Sequence, residues 1–491
     1  MKRVMALSVA ALLGQGCMYG VVQDANTGSG VNQATVKVIN GSCSGAGCGG
    51  SPVSENTDVS GLYIFDAYGN SAGPADVKII LPASGEEAVT LRIEKSGYVS
   101  RTIYHQPKYQ QVTNNGKTYL ITQASPVYLC PVGSPDSDGD SICNAAESRY
   151  GTDPFDSDTD GDNLSDAAEL FGSEGVDLRY FGTTPLHKDL FIEADYYPGL
   201  KPADAAIAQV VAAFANAPVS NPDGISGIRL HIDVDQQIAA ADVDNDLNPV
   251  WTDFDVIKNT YFEPRRSKLF HYALFANQYD GGGSSGISRG IPGHDFVVSL
   301  GTWSTPGGTV LQQAGTLMHE FGHNIGLRHG GNENENRKPN YLSIMSYNYQ
   351  LVGLTIAGVG GNMDYSRLRI ASVNEASLNE VAAFAGIGGT TEAQLAPYGV
   401  RTCGTLLTGN ASTNLDFDKD GVIEAVVATS LNCDADAVDV FAASQNDWDN
   451  LVYNGAGTIG DDLLGDTEQL LAGYYEVTPV SLVEPCMTEF Q

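Results

Sequence analysis

The chain has 491 residues, which is too long for one hydrophobic core and predicts several domains. Hydrophobic residues make up 42% of the chain and charged residues 17%, a balance that argues against a disordered protein. The 59 acidic and 26 basic residues leave a net charge of −33, which would repel phosphate backbones, so we expect no nucleic-acid partner.

The first predicted element is a secretory signal peptide at residues 1–16. Lys2 and Arg3 precede an apolar run that is too short to span a bilayer. The stretch LGQGC at 13–17 resembles a bacterial lipoprotein signal, with Gly14 where that family has Leu, and the resemblance implies a lipidated Cys17. An ordinary signal-peptidase cut before Cys17 is the alternative. Either cut predicts an extracytoplasmic protein, secreted or held at the outer surface of a bacterium, with a membrane contact only through the lipid.

Disulfides are the default for the eight cysteines in such an oxidising compartment. The local pairs that the spacing favours are Cys43–Cys48, Cys130–Cys143 and Cys403–Cys433. Cys17 and Cys486 remain, and they are free to pair with each other only if Cys17 is not acylated.

Residues 17–129 alternate apolar and polar side chains between turn residues, which predicts an antiparallel β-sandwich. Within them, GVVQDANTG at 20–28 and TDVSGLYIF at 57–65 resemble the carboxypeptidase regulatory-like domain. That resemblance implies a spacer or adhesive module without a catalytic group.

Residues 130–185 are rich in Asp, and oxygen-bearing side chains recur at positions 1, 3, 5, 9 and 12 of two loops. Calcium takes six to eight oxygen ligands, and loops with this spacing supply them. In loop 1 (residues 136–147) these side chains are Asp136, Asp138, Asp140, Asn144 and Glu147, and in loop 2 (158–169) they are Asp158, Asp160, Asp162, Asp166 and Glu169. The tandem pair resembles thrombospondin type 3 repeats, which implies bound Ca²⁺, although Ser141 and Asn163 stand at position 6, where Gly is usual.

Loop 3 (residues 416–427) has only the first half of this pattern, because Val427 stands at position 12. Its candidate calcium ligands are Asp416, Asp418, Asp420 and Glu424. The alternative for all three loops is a solvated acidic loop.

Residues 186–455 have a mixed α/β pattern and form the third predicted domain, with an Asp-rich insert at 403–433 and a C-terminal tail at 456–491. Strands are predicted at 189–196, 228–234, 269–275 and 296–300, and helices at 203–214 and from Val310. Apolar residues at spacings of three and four form one stripe of the second helix. Thr316, His319 and His323 lie on the other stripe, where we expect a cleft.

The second helix carries the segment HEFGHNIGLRH at 319–329. His319 and His323 are four residues apart on one helical face, so both rings can reach one zinc ion. Gly326 permits a sharp helix end that brings His329 in as the third ligand and leaves one zinc position open. Glu320 is placed to take a proton from water at that position.

This motif, together with SIMSY at 343–347, resembles the metzincin clan of zinc endopeptidases. The resemblance implies that Met345 forms an apolar floor beneath the ligands and that Tyr347 binds zinc at rest or stabilises the oxyanion. It also implies that strand 296–300 is the cleft edge to which extended peptides add.

The sequence as a whole therefore predicts a multidomain protein with a β-sandwich, calcium loops and an α/β (α+β) metzincin-like catalytic domain. The function that we infer is a secreted or surface-anchored zinc-dependent metalloendopeptidase that acts on proteins or peptides, with Glu320 as general base and with Zn²⁺ and Ca²⁺ as bound ions. The alternative is a calcium-dependent adhesion or matrix-binding protein with a vestigial protease domain. The presence of Glu320 favours the enzyme, because an adhesion protein does not require a general base.

Overall fold

The computed structural model describes residues 16–40, 42–43, 54–66, 79–80, 88–108, 110–114, 117–385, 390–434 and 437–453. Residues 1–15, Cys48, Cys486 and the tail at 456–491 lie outside the described residues, so the predictions made for them stay predictions. The chain divides into two compact units, one up to Lys188 with Asn221–Asp223, the other comprising Asp189–Ser220 and the chain from Gly224 onward.

The first unit contains eleven strands and three helices in the described residues. The strands are β1 (Gly16–Asp24), β2 (Thr35–Asn40), β3 (Ser42–Cys43), β4 (Ser54–Asn56), β5 (Leu62–Asp66), β6 (Ile79–Ile80), β7 (Val89–Glu94), β8 (Arg101–His105), β9 (Gln110–Asn114), β10 (Lys117–Gln123) and β11 (Val127–Leu129). The helices are α1 (Asn144–Tyr150), α2 (Asp166–Phe171) and α3 (Leu178–Phe181).

One sheet of this unit has the order β11-β1-β10-β9, with β5 also paired to β1, and another has the order β4-β2-β7-β8. The second sheet is antiparallel, as predicted. The first is not wholly so, because β1 pairs in parallel with both β10 and β11. Parallel neighbours need a long crossover, and strands β2 to β9 lie between β1 and β10 in the sequence. The prediction of a purely antiparallel sandwich was wrong at this strand.

The two sheets and the acidic segment share one hydrophobic core. Val36 and Leu91 from the β4-β2-β7-β8 sheet and Val22 from β1 are fully buried. Ala146 of α1 and Phe171 of α2 belong to the same cluster, with exposed fractions of 0% and 3%. The acidic segment is therefore attached to a core that the strands largely build.

The second unit contains twelve strands and four α-helices in its described part. The strands are β12 (Asp189–Tyr196), β13 (Arg229–Gln237), β14 (His271–Phe275), β15 (Gly286–Ser288), β16 (Asp295–Val298), β17 (Leu354–Ile356), β18 (Val359–Asn362), β19 (Val373–Asn374), β20 (Tyr398–Gly399), β21 (Arg401–Thr402), β22 (Thr405–Leu406) and β23 (Val440–Phe441). The helices are α4 (Asp204–Ala215), α5 (Val250–Tyr261), α6 (Val310–Asn324) and α7 (Glu392–Leu395), with short 3₁₀ turns at Pro264–Arg266, Glu375–Ser377 and Trp448–Asn450.

The main sheet of this unit has the order β13-β12-β14-β16-β15. Its first four strands are parallel, and β15 is antiparallel to β16. The predicted strand at 296–300 corresponds to β16, which lies inside the sheet between β14 and β15. Its prediction as the cleft edge was therefore wrong, and the edge is β15.

Helix α6 begins with a capping box, since Thr309 Oγ1 accepts a hydrogen bond from Gln312 N at 3.2 Å and Gln312 Oε1 accepts one from Thr309 N at 2.8 Å. The predicted apolar stripe is buried from Ala314 through Phe321 to Ile325. The opposite stripe is also buried, which makes α6 a central helix. With helices, parallel strands and several antiparallel sheets in two units, the protein has a multidomain α+β architecture.

Candidate metal centre

The three motif histidines lie together at the end of α6. His319 and His323 project from the helix, and His329 lies in the tight turn after it, where Arg328 N and Gly331 O are hydrogen-bonded at 2.9 Å. Ligand nitrogens of the three rings lie within 4.8 Å of one another. The Nε2 atoms of His323 and His329 are 3.2 Å apart. Two ligands of one tetrahedral zinc ion at 2.0–2.1 Å would be about 3.3 Å apart, so this spacing fits zinc.

Backbone carbonyls fix the orientation of two of these rings. His319 Nδ1 donates to the carbonyl of Ile344 at 3.0 Å, and His323 Nδ1 donates to the carbonyl of Leu327 at 2.7 Å. Because a carbonyl only accepts, each Nδ1 carries the proton and each neutral ring presents the Nε2 lone pair. His319 Nε2 is buried and has no hydrogen-bond partner among the described residues, as expected of an atom directed at a metal.

Burial also keeps the three rings neutral. It lowers the pKa of His319 well below its usual range, with the charges of His323 and His329 acting in the same direction. Burial lowers the pKa of His323 to about 4 and that of His329 to about 2. Neutral imidazole is the form that binds a metal, so these donors fit a zinc ion without competition from protons at neutral pH.

The helix ends where the sequence predicts a sharp change of direction. Gly326 has a φ of +94°, and its N–H bonds to His323 O at 3.0 Å. This left-handed conformation closes the helix and turns the chain toward His329.

Met345 packs against helix α6 at Gly322. It is fully buried, and a Cβ on Gly322 would be only 2.3 Å from its sulfur, so the Met345 side chain packs against the helix between His319 and His323. The turn around it is closed by Ser346 N bonding to Ser343 O at 3.0 Å. The same turn supplies the Ile344 carbonyl that orients His319.

Glu320 is buried beside the edge strand. A Cβ on Gly286, the first residue of β15, would lie 2.7 Å from Glu320 Oε1 and 2.6 Å from Val297 O. Only glycine leaves room for the carboxylate at this point. Gly286 has no signal in the sequence that connects it to Glu320, and sequence analysis missed it.

Tyr347 lies against two of the three histidines. Its ring centroid is 4.7 Å from that of His329 and 5.8 Å from that of His319. Its backbone N–H bonds to Asn336 Oδ1 at 3.1 Å. The predicted switching tyrosine is therefore close enough to the rings to act at the same centre.

Two further polar residues brace this site, and sequence analysis missed both. Asn324 Nδ2 donates to Ser288 Oγ of β15 at 2.7 Å, and its Oδ1 accepts from His271 Nδ1 of β14 at 3.1 Å. Asp447 is fully buried and accepts from Ser343 Oγ at 2.7 Å and from Tyr341 Oη at 2.8 Å. Asn324 thus ties the helix end to the sheet, and Asp447 ties the turn around Met345 to a distant segment.

Loops 1 and 2 hold their first three aspartates close together. Position 6 is left-handed in both, with a φ of +77° at Ser141 and +72° at Asn163, which is the conformation that Gly usually supplies there. Carboxylate oxygens lie within 4.8 Å of one another in each of two sets: Asp136, Asp138 and Asp140, and Asp158, Asp160 and Asp162.

The position 9 side chains have a different environment from the other candidate ligands. Asn144 Oδ1 accepts from Ser137 N at 3.1 Å, and Asp166 Oδ1 accepts from Thr159 N at 2.9 Å. Each position 9 residue therefore braces position 2 of its own loop.

Glu147, at position 12 of loop 1, is fully buried in the described fold, and neither carboxylate oxygen has a hydrogen-bond partner among the described residues. Burial raises its pKa to about 8, and the charges of Asp138 and Asp140 add to this shift. Glu169, at position 12 of loop 2, is also fully buried. Buried carboxylates crowded in this way fit a site for a hard divalent cation.

Loop 3 keeps its aspartates but not its glutamate. Asp416 is 6% exposed, whereas Glu424 points to solvent. Phe417 N donates to Glu380 Oε1 at 2.6 Å, and Glu424 N donates to Glu380 Oε2 at 2.9 Å. Glu380 belongs to a distant segment of the chain, so no spacing rule could have connected it to this loop.

Two of the predicted disulfides are present. Cys130 pairs with Cys143 beside loop 1, and Cys403 pairs with Cys433 across the insert that contains loop 3. Disulfides of this kind favour a location outside the cytoplasm. Among the described helices, none has the length and apolar character needed to cross a membrane.

Comparison with known proteins leaves the family open. No known family model and no curated protein matches the chain. Among the solved structures with distant similarity to this chain are the three that follow. Metalloproteinase-II from Bacteroides fragilis has 14% identity and a TM-score of 0.22 over 56% of this chain and 75% of its own.

The other two are 3-chlorocatechol 1,2-dioxygenase from Rhodococcus opacus 1CP and a chaperone-substrate complex. The dioxygenase has 13% identity and a TM-score of 0.17 over 24% of this chain and 62% of its own. The complex has 14% identity and a TM-score of 0.23 over 37% of this chain and 29% of its own. This chain therefore spans less than two thirds of the length of each of these two proteins. Similarities this low carry no argument about fold or activity.

Proposed function

We propose that the protein is a zinc-dependent metalloendopeptidase that is exported from the cytoplasm. The observation that carries this proposal is the buried cluster of three neutral histidines with Glu320 next to it on the same helix. A purely structural zinc site uses four protein ligands, whereas this cluster offers three and leaves a position for reaction chemistry.

His319, His323 and His329 would hold the zinc, as their converging nitrogens indicate. A zinc ion in such a site polarises a carbonyl and lowers the pKa of water to about 7. Glu320 takes the proton from the attacking water and delivers it to the leaving amine. The Tyr347 hydroxyl donates a hydrogen bond to the oxyanion that forms on the scissile carbonyl.

The substrate would be a protein or peptide that adds to the sheet in extended form. β15 is the edge of the main sheet, and its first residue, Gly286, lies against the Glu320 carboxylate. A strand that pairs with this edge would pass its backbone close to the general base.

Calcium bound to loops 1 and 2 would stabilise the first unit. A Cys17 lipid anchor remains part of the proposal, and an intact mass of the native protein tests it. The second candidate, an adhesion protein with a vestigial protease domain, is favoured by the calcium loops, which are built into the sandwich core. It gives no reason to keep Glu320 fully buried beside three histidines, since burying an ionisable group that has no function is costly.

The deciding experiment is cleavage of a denatured protein and a peptide library by wild type and by Glu320→Gln, with zinc content measured for both. Glu320→Gln should retain zinc and lose about 10²- to 10⁴-fold in turnover, the contribution typical of a general base. A zinc chelator in excess calcium should stop wild type. Full activity of Glu320→Gln, or zinc-loaded wild type that cleaves nothing, would contradict the proposed mechanism.

A further inference from the structure

We infer that loop 3 is a third cation site, in the unit that carries the histidines, and that it binds calcium through Asp416, Asp418, Asp420 and the Val422 carbonyl without any carboxylate from position 12. This site does not rest on the proposed protease activity.

The backbone of loop 3 follows that of the two tandem loops. Positions 4 and 6 are left-handed in all three, with φ values of +81° and +77° for Gly139 and Ser141, +74° and +72° for Gly161 and Asn163, and +66° and +85° for Lys419 and Gly421. The N–H of position 7 bonds to the position 5 carboxylate in each loop, at 2.6, 2.8 and 2.7 Å. The left-handed conformation is unfavourable for Lys419, because a residue with a Cβ is strained there.

Asp416 supplies the observation that points to a ligand. Only 6% of it is exposed, and its Oδ2 accepts from Gly421 N at 3.1 Å, which places the carboxylate inside the loop. Its Oδ1 is buried and has no hydrogen-bond partner in the part of the chain that the structure describes. An ionised oxygen buried without a partner is costly, and a divalent cation would remove that cost.

Glu380 replaces the brace that position 9 supplies in the tandem loops. There, Asn144 or Asp166 accepts a hydrogen bond from the N–H of position 2. In loop 3 the position 2 N–H belongs to Phe417 and is accepted by Glu380, while the position 9 residue Glu424 is exposed. Glu380 therefore holds the loop closed, and Glu424 is not part of the ligand set.

The missing position 12 carboxylate predicts weak binding. Three aspartates and one carbonyl leave several calcium positions to water, where loops 1 and 2 have a buried glutamate. We expect a Kd of about 10⁻⁴ to 10⁻³ M, the range of extracellular calcium modules.

The experiment is equilibrium dialysis of the full chain against radioactive calcium at millimolar concentration. Asp416→Ala should bind one calcium fewer per chain than wild type, and so should Asp420→Ala, because alanine supplies no ligand oxygen. Asp420 is exposed, so this variant should fold normally even if Asp416→Ala does not. Asp449→Ala, which removes an exposed carboxylate elsewhere in the same unit, is the matched control and should bind as many as wild type.

Equal binding by wild type and Asp420→Ala would overturn the site. Loss of one calcium in Asp449→Ala as well would also overturn it, because the effect would then be one of net charge. Because the readout is a difference in calcium count, it is independent of zinc content and of proteolysis. A negative result here therefore leaves the proposed function standing, and an inactive enzyme leaves this inference standing.

Discussion

The histidine cluster and loops 1 and 2 are two candidate metal sites with opposite electrostatics. His319 and His323 are neutral, buried and each held by a backbone carbonyl. The ligands of loop 1 are carboxylates that repel one another, so that burial and neighbouring charges raise the pKa of Asp140 to about 6 and that of Glu147 to about 8.

This difference decides what each site requires in order to fold. Neutral rings that already satisfy their Nδ1 protons cost little when no metal is bound, so the second unit should form its zinc site in advance. Crowded carboxylates repel one another unless a cation or protons neutralise them, so loop 1 should depend on calcium for its conformation when these groups are ionised. The predictions below test this contrast, beginning with the largest effect.

Replacement of a zinc ligand should abolish activity without unfolding the second unit. His323→Ala removes one of three donors, and the remaining two hold zinc poorly, so we expect loss of zinc and of detectable cleavage. Because His323 is buried and its Nδ1 donates to the Leu327 carbonyl, apo His323→Ala should also melt below the apo wild type while remaining folded. Metal analysis and calorimetry measure both quantities. Loss of the cooperative melting transition of the second unit in the apo wild type would show that this centre is not formed in advance.

Removal of calcium should have the reverse effect on the first unit. Chelation should lower its melting temperature by many degrees and expose residues 130–185 to proteolysis, because the charges around Glu147 are no longer neutralised. Glu147→Gln sharpens this prediction. It should be less stable than wild type in calcium, since a ligand is lost, but more stable than wild type in chelator, since repulsion is relieved.

Glu55→Gln, which changes an exposed carboxylate of the same unit, is the control and should follow wild type in both buffers. If chelation leaves melting and digestion unchanged, loops 1 and 2 are not calcium sites. If Glu147→Gln is less stable than wild type in chelator too, the repulsion argument fails even though calcium binds.

The same contrast explains how much the sequence could predict. Local motifs predict the histidine cluster, the turn at Gly326 and the clustering of the first three aspartates in loops 1 and 2, because helix period and loop position act over a few residues. The two disulfides at Cys130 and Cys403 were predictable for the same reason.

Contacts between distant segments could not be predicted. Asp447 is about a hundred residues from Ser343, and Glu380 reaches loop 3 from a separate segment. β15 is only three residues long and includes Gly286, so it has no pattern that identifies it as the sheet edge. The parallel pairing of β1 depends on where the chain returns, which alternation of side chains does not encode.

A substitution of Asp447 tests whether the buried Asp447 carboxylate lowers the free energy of unfolding. Burial raises its pKa from 3.8 to about 6, partly offset by hydrogen bonds from Ser343 and Tyr341. The folded state therefore binds this proton more tightly than the unfolded state does. Its contribution is present below about pH 4 and is lost as the pH rises to about 6.

Relative to Asp447→Asn, wild type should lose up to about 3 kcal/mol of unfolding free energy over that range, at 1.36 kcal/mol per pKa unit. Chemical denaturation of both proteins at several pH values measures the difference in slope. Parallel pH profiles would show that the Asp447 carboxyl is not perturbed.

The smallest expected effect concerns Tyr347. Its ring packs against His329 and His319, but the three atoms proposed to bind zinc are histidine nitrogens. Tyr347→Phe should therefore keep zinc and the melting temperature of wild type. Loss of one hydrogen bond to the oxyanion should lower turnover by about 10-fold, or about 1.4 kcal/mol in the barrier, with little change in KM.

Tyr349→Phe is the matched control, because the Tyr349 hydroxyl accepts a hydrogen bond from Arg401 N at 3.1 Å and is fully buried. That variant should lose stability and keep its turnover per bound zinc. Equal turnover in Tyr347→Phe and wild type would assign Tyr347 to packing, and a parallel loss of zinc would assign its hydroxyl to the metal at rest.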